Sequence, residues 1–261
     1  MLDEALQRRL IQQNRIWIQG VRADDPYRAD FESDQDRGLP QPPMVKAPMA
    51  PPESRVPLPR DFSPLRADLT LEELLTRRHS VRAYGEEPVT LLQISYLLWA
   101  CQGVKGICGK NYATWRTVPS GGARHPFETY LLIQRAENLA PGAYHYLPME
   151  HVLEFLHPVE ALPESAAASL HGQRWAAEAA VVFYWSMAAY RAEWRYGIYA
   201  HRTAMMDIGH VGQNLYLAAE ALGLGTCAVA AFDHERCCTL FGLDGQEEFP
   251  VYAAPVGYPL R

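Results

Sequence analysis

The sequence predicts an α+β fold, and three observations carry that reading. Helix-like and strand-like segments interleave without a regular βαβ period. Two segments open with a capping box, Thr70-Leu-Glu-Glu73 and Thr90-Leu-Leu-Gln93, in which the Thr hydroxyl and the acid or amide side chain satisfy orphan backbone N–H groups. The run AVVFYW, residues 180–185, is short, apolar and rich in β-branched and aromatic residues, as in a strand buried on both faces.

The elements follow in order. Residues 1–19 carry Leu2, Leu6 and Leu10, then Ile16, Trp17 and Ile18, with Gly20 as a stop, which predicts a short amphipathic helix. Residues 24–36 hold six acids, and eight prolines fall between Pro40 and Pro59, so this stretch is extended or loop-like. Exposing Trp17, Tyr27 and Phe31 is unfavourable, so residues 1–65 are expected to form an N-terminal helix and an acidic, proline-rich arm ordered over a partner. The compact domain spans residues 66–261. Its first helix is short and stops around Arg78; the second places Leu91, Ile94, Leu97, Leu98 and Cys101 on one face and ends at Gly103. Strands are predicted over 128–134, in a hairpin at 143–146 and 152–156, and over 180–185, 226–231 and 251–256. A long helix covers 199–222, with Ala204, Ile208, Val211, Leu215, Ala218 and Leu222 at helical spacing and Gly223 as its stop.

Composition limits the functions available. The chain has 261 residues, 24 basic against 30 acidic, for a net charge of −6. Bulk attraction to nucleic acid or an anionic membrane is therefore not expected, and any anion site must be local. The longest uncharged apolar run, Ala179 to Tyr190, has 12 residues, short of the ~20 that span a bilayer. The opening MLDEALQRRL lacks the basic start of a secretory signal. Five cysteines form no CxxC pair, which points to a reducing, cytoplasmic setting; His234, Cys237 and Cys238 have no second ligand pair, and buried inert thiols are favoured over a metal site.

The local anion site has candidates. RRHSVRAYG, residues 77–85, packs Arg77, Arg78, His79 and Arg82 into six positions of an acidic chain. On an extended connector Arg78, Ser80 and Arg82 point to one side, and two guanidinium groups flanking a hydroxyl form a cradle suited to phosphate. In TVPSGGARHP, residues 117–126, Gly121 and Gly122 let backbone approach a ligand closely and Ser120 adds a hydroxyl. No GxGxxG follows a strand, so a Rossmann dinucleotide fold is not supported.

In this order RRHSVRAY, PSGGARHPFE, GHVGQNLYLAAEALGLGT and PVGYP resemble the FMN-dependent nitroreductase superfamily, and within it the SagB/ThcOx-type dehydrogenases, which include azoline oxidases of peptide natural-product pathways. The resemblance covers residues 66–261. It implies a central mixed or antiparallel sheet flanked by helices in an intertwined homodimer. It implies that Arg78, His79 and Ser80 hold the phosphate and ribityl chain of FMN, with Arg82 near the flavin atoms where reduced charge collects. Pro119, Ser120 and Gly121 match a turn that reaches the flavin from the opposite subunit. Ala230 and Ala231 match the segment facing the flavin edge, and Arg261 a C-terminal cation near the phosphate.

The resemblance also implies an oxidoreductase moving hydride between a donor, NAD(P)H or the substrate itself, and a small nitro, quinone or enone acceptor. An azoline dehydrogenase and a non-catalytic flavin-binding protein on the same scaffold are the alternatives. Azoline-oxidising relatives carry a Lys-Tyr pair before a Gly; this chain reads Trp194-Arg195-Tyr196-Gly197. Arg195 cannot deprotonate, so it cannot serve as that base, while Tyr196 keeps an acid or orienting role open.

Overall fold

The strand Phe127–Ile133 is buried at every position and alternates large apolar side chains to both faces, which places it at the centre of a sheet covered on both sides. In the computed structural model, which describes residues 3–19, 31–65, 68–110 and 112–260, the elements run as follows. Helix α1 is Glu4–Ile18, followed by strand β1, Arg55–Pro57, helices α2, Leu71–Arg77, and α3, Leu91–Gln102, and a hairpin of β2, Val104–Cys108, and β3, Ala113–Arg116. Then come β4, Phe127–Ile133, β5, Gly142–Leu147, β6, Val152–His157, α4, Leu162–Ser169, and α5, Arg174–Ala177. Strand β7, Val181–Ala188, leads to α6, Tyr190–Tyr196, and α7, Ala200–Ala221; β8, Gly225–Thr226, α8, His234–Phe241, and β9, Glu248–Gly257, complete the fold.

Seven strands form one sheet in the order β1-β6-β5-β4-β7-β9-β8, with every ladder antiparallel among the described residues. The register between β4 and β7 pairs Leu131 with Phe183 and Tyr130 with Tyr184, so the two strands share their alternation. Leu131, Ile133, Phe183 and Trp185 face α3 and α7 through Ile94, Leu97, Leu98, Val211 and Leu215. Tyr130, Leu132, Val182 and Tyr184 face α4 and α8 through Ala166, Leu170, Cys237 and Phe241. The result is a helix–sheet–helix sandwich, the α+β architecture the sequence predicts. Both capping boxes form as expected, at Thr70 and Thr90. No helix among the described residues is long and apolar enough to cross a membrane.

The strand expected over 226–231 shrinks to Gly225–Thr226 plus a single bridge at Val229. The reason lies in competing hydrogen bonds: Ala228 N–H donates to the Tyr216 hydroxyl at 2.8 Å, which draws the chain off the ladder toward α7. Residues 31–57 dock on their own chain, and β1 forms the sheet edge against β6. Helix α1 carries no buried residue; Trp17 is 48% exposed, and Leu2, Gly20 and Tyr27 lie outside the described residues.

The arm is fastened by buried carboxylates. Glu128 and Glu154 accept hydrogen bonds from the backbone N–H groups of Lys46 and of Met49 and Ala50, at 2.8–3.0 Å. The fully buried His145 sits between these acids, with Nδ1 donating to Glu154 at 2.7 Å and Nε2 to Glu128 at 3.3 Å. Burial alone would lower the His145 pKa, but hydrogen bonds to both carboxylates outweigh it and hold the imidazole above its ordinary value. Burial would raise Glu128, but the Arg191 guanidinium and His145 overcome it and hold the carboxyl well below the carboxylate range. Arg191 Nε also donates to Pro43 O, so one cation ties arm and sheet together.

Because the His145 pKa is raised by folding, its stabilisation is complete below the unfolded value of ~6.5 and is lost as pH rises through the folded value. His125 and His151, lowered by burial to about 3 and about 4, are neutral in both states above that value and do not contribute there. The urea midpoint should therefore fall between pH 6.8 and 8.0 in the native protein, and His145→Gln should flatten that slope. An unchanged slope in His145→Gln would show that the imidazole is neutral in the fold.

Candidate active site

Two groups of the sequence-predicted residues converge on helix α7. The first is the basic connector. Arg78 caps α2, its N–H donating to Leu74 O, and its extended backbone, φ −52° and ψ 121°, turns the chain out of the helix. Ser80 then bridges Thr226, and Val81 N–H donates to Thr226 O at 3.0 Å, so the connector runs beside β8. Gly225 makes this close approach possible, since a Cβ there would stand 2.6 Å from the Val81 side chain. The Ser80 and Tyr216 hydroxyls share a hydrogen bond of 3.0 Å, with Tyr216 also holding Ala228 N–H.

The charges of this connector divide unequally. Arg77 pairs with Glu220 at 3.0 Å. The Arg78 guanidinium instead lies 5.4 Å from the Tyr216 ring and that of Arg82 lies 5.9 Å from Trp175; neither has a carboxylate partner among the described residues. His79 is exposed, its Nδ1 3.0 Å from Arg77 O. Ala230 and Ala231 are exposed a few residues beyond β8, with Ala231 O accepting from Gln173. Two guanidinium groups without a carboxylate partner among the described residues, on the connector that carries the Ser80 hydroxyl, are donor types that fit a phosphate ester, and Ala230 and Ala231 are small and exposed.

The second group is the glycine turn. The Ser120 hydroxyl donates to Asp207 at 2.7 Å, and Gly121 N–H donates to the same carboxylate at 3.0–3.1 Å. His125 N–H in turn donates to Ser120 Oγ, closing the turn, while Pro119 is exposed at its tip. Burial raises the Asp207 pKa although the Ser120 and Gly121 hydrogen bonds oppose the shift. Gly122, at φ +56°, lies against the end of α6: a Cβ there would meet Arg195 Cδ and Nε at 2.5 Å and the Tyr196 hydroxyl at 2.7 Å. Arg195 and Tyr196 thus belong to this second group. The Arg195 Nη1 donates to Gln35 Oε1 at 2.8 Å and to the Tyr112 hydroxyl, which joins α6 to the arm and to the hairpin loop. Arg261 lies outside the described residues.

The two groups do not meet within one chain. Asp207 and Tyr216, their anchors on α7, are nine residues apart, which is ~13 Å along the axis and about half a turn around it. Each anchor serves its own face of the helix. Asp207 was legible in part, since an acid at that position interrupts the apolar stripe of Ala204, Ile208 and Val211. Tyr216, Gln35, Tyr112 and Arg124 gave no such signal, because their roles depend on partners far away in sequence.

This arrangement, a helix-flanked antiparallel sheet with a basic connector and a glycine turn on one long helix, defines a class. The chain belongs to the nitroreductase family, whose pattern matches residues 75–258. It is 35% identical over 190 residues to "Putative nitroreductase MJ1384" of Methanocaldococcus jannaschii, covering 73% of this chain and 91% of that protein. It is 30% identical over 149 residues to the Microcin B17-processing protein McbC of Escherichia coli, spanning about half of each, 52% and 52%. Among solved structures, a Ralstonia eutropha protein described as a nitroreductase superposes with a TM-score of 0.65 at 24% identity, over 85% of this chain and all of that one.

Proposed function

We propose that the protein is an FMN-dependent oxidoreductase that passes hydride from NAD(P)H or a reduced substrate to a small organic acceptor such as a nitro, quinone or enone compound. The observation that carries this reading is the pair of guanidinium groups on the connector, Arg78 and Arg82, which have no carboxylate partner among the described residues in a chain of net charge −6. When bound, FMN would supply hydride chemistry at its ring. Arg78, His79 and Ser80 would hold its phosphate and ribityl chain, and Arg82 would stabilise charge collecting on the reduced ring. Ala230 and Ala231 would leave the ring edge accessible.

The opposite faces of α7 support a homodimer in this reading. Pro119, Ser120 and Gly121 would complete the FMN site of the other subunit, because in their own chain they lie on the far side of the helix from Arg78. Exposed apolar residues near the Asp207 anchor and on the β2–β3 hairpin have the composition of an interface. Met205 and Met206 are 41% and 55% exposed, and Gly209, a turn further on, has nothing within 4 Å of a Cβ position. Ile107 and Trp115 of the β2–β3 hairpin are exposed as well, at 45% and 59%.

The similarity to the Microcin B17-processing protein favours a second reading, a dehydrogenase acting on peptide heterocycles. Arg195 weighs against it. Guanidinium has no lone pair to take a substrate proton, and its Nη1 is engaged by Gln35 and Tyr112.

The purified protein should be yellow, and Arg78→Ala should bind FMN ~10- to 100-fold more weakly, the loss of a charge-assisted phosphate contact. Full flavin occupancy in Arg78→Ala at limiting FMN would remove the basis of this reading. Tyr196→Phe separates the two enzyme classes. With a nitroaromatic or quinone acceptor, whose protons come from solvent, turnover should change little at constant flavin content. A ~10²–10⁴-fold loss would instead assign Tyr196 proton chemistry and favour the heterocycle dehydrogenase.

A further inference from the structure

We propose that Arg195 is an anion anchor and that the acceptors taken by this site are planar compounds bearing a carboxylate; this rests on the oxidoreductase reading above and names its substrate class. The residue sits directly under the glycine turn, with its guanidinium 5.6 Å from the Tyr196 ring. Its Nη1 is used by Gln35 and Tyr112, its Nε is buried without a partner against Gly122, and its Nη2 has no partner among the described residues. A second cation stands behind it. Arg124 is only 6% exposed, bonds the carbonyls of Gly122 and Tyr112, and lies against the rings of Tyr112 and Trp194 at 4.5 and 5.4 Å.

Among the described residues no carboxylate forms an ion pair with either guanidinium. The acids nearby are engaged elsewhere: Asp207 by Ser120 and Gly121, Glu193 by His201 at 2.7 Å, and Asp34 by Arg37 and the Tyr190 hydroxyl. Asp36 is fully exposed and held by Ser33, and Arg195 acts on it as the weakest of its influences. A buried and a half-buried guanidinium in an aromatic setting, with no ion-paired carboxylate among the described residues, are a unit that an anion completes. The half-buried Tyr196 ring beside Arg195 supplies a flat apolar surface for the remainder of the ligand, so a planar conjugated body with one carboxylate matches the site. A lysine here would present a compact charge able to deprotonate; the arginine presents a permanent one, suited to holding an anion in place.

The test compares benzoate with benzamide, which share size and shape and differ in charge, by titration calorimetry on the flavin-loaded protein with excess FMN filling the Arg78 site. Benzoate should bind about tenfold or more tightly than benzamide. Arg195→Gln should bring the two within about twofold, and Arg195→Lys should retain part of the preference. The same order should appear in the kcat/KM ratio of 4-nitrobenzoate to 4-nitrobenzamide. Equal affinities in the native protein overturn the proposal without recourse to any variant, as does a preference that persists in Arg195→Gln. Tighter Arg195-dependent binding of 2′,5′-ADP than of benzoate would assign the anchor to a nucleotide phosphate and overturn the carboxylate. If benzoate selectivity depends on Arg195 but no donor reduces the flavin, the oxidoreductase reading fails and the anchor stands; turnover without charge preference gives the converse.

Discussion

Helix α7 is the constraint on which the site depends. Ser80 and Ala228 are tied to Tyr216 on one of its faces, and Ser120 and Gly121 to Asp207 on another, about half a turn and ~13 Å away. The helix is held rigidly by the core, with Val211 and Leu215 packed against the central sheet. Its length and register therefore fix the separation of the two groups more firmly than either loop could. In the proposed homodimer a ligand that used both groups would be shared between chains, with the exposed methionines and the bare Gly209 on the same helix as the surface a second copy would approach.

The arm extends this logic to the other end of the sheet. Buried charge is unfavourable unless it is paired and hydrogen-bonded, and Glu128, Glu154, His145 and Arg191 meet that demand partly through the arm's own backbone. Lys46 adds a salt bridge to Glu248 at 2.6 Å, itself held by Tyr130 and Ser186. Removing the arm would leave these carboxylates short of donors inside the fold. The same arm reaches the candidate site, where Gln35 holds Arg195 and Phe31 packs edge-on to Tyr199 at 5.3 Å. Arm docking and the geometry around Tyr196 are thus mechanically linked.

What was legible in the sequence was whatever is local. The capping boxes at Thr70 and Thr90, the double-faced burial of the 180–185 run and the helical spacing of 199–222 follow from neighbours within a few residues, and each formed. The β2–β3 hairpin and helices α4, α5, α6 and α8 were not anticipated, being short or polar segments whose form depends on packing against the sheet. The end of β8 was misjudged because the Tyr216 hydroxyl, on a helix, competes for a backbone donor. At the site, the basic cluster was visible as composition. Its division into Arg77, paired with Glu220, and Arg78 and Arg82, without a carboxylate partner among the described residues, was not, because Glu220 lies 143 residues from Arg77.

The central claim is that one FMN site takes its connector from one chain and its glycine turn from another. Mixed dimers test it most directly. An Arg78→Ala chain and a Gly121→Ala chain, whose added Cβ would stand 2.4 Å from Thr203 and displace the turn, can be co-expressed with different tags and isolated as heterodimers by two affinity steps. If the sites are shared, one site in each heterodimer is intact and the other carries both lesions. Flavin occupancy should then recover to about half that of the native dimer, although each variant alone binds little. Occupancy in the heterodimer no higher than in either parent would show that each site is built within a single chain and would contradict the account.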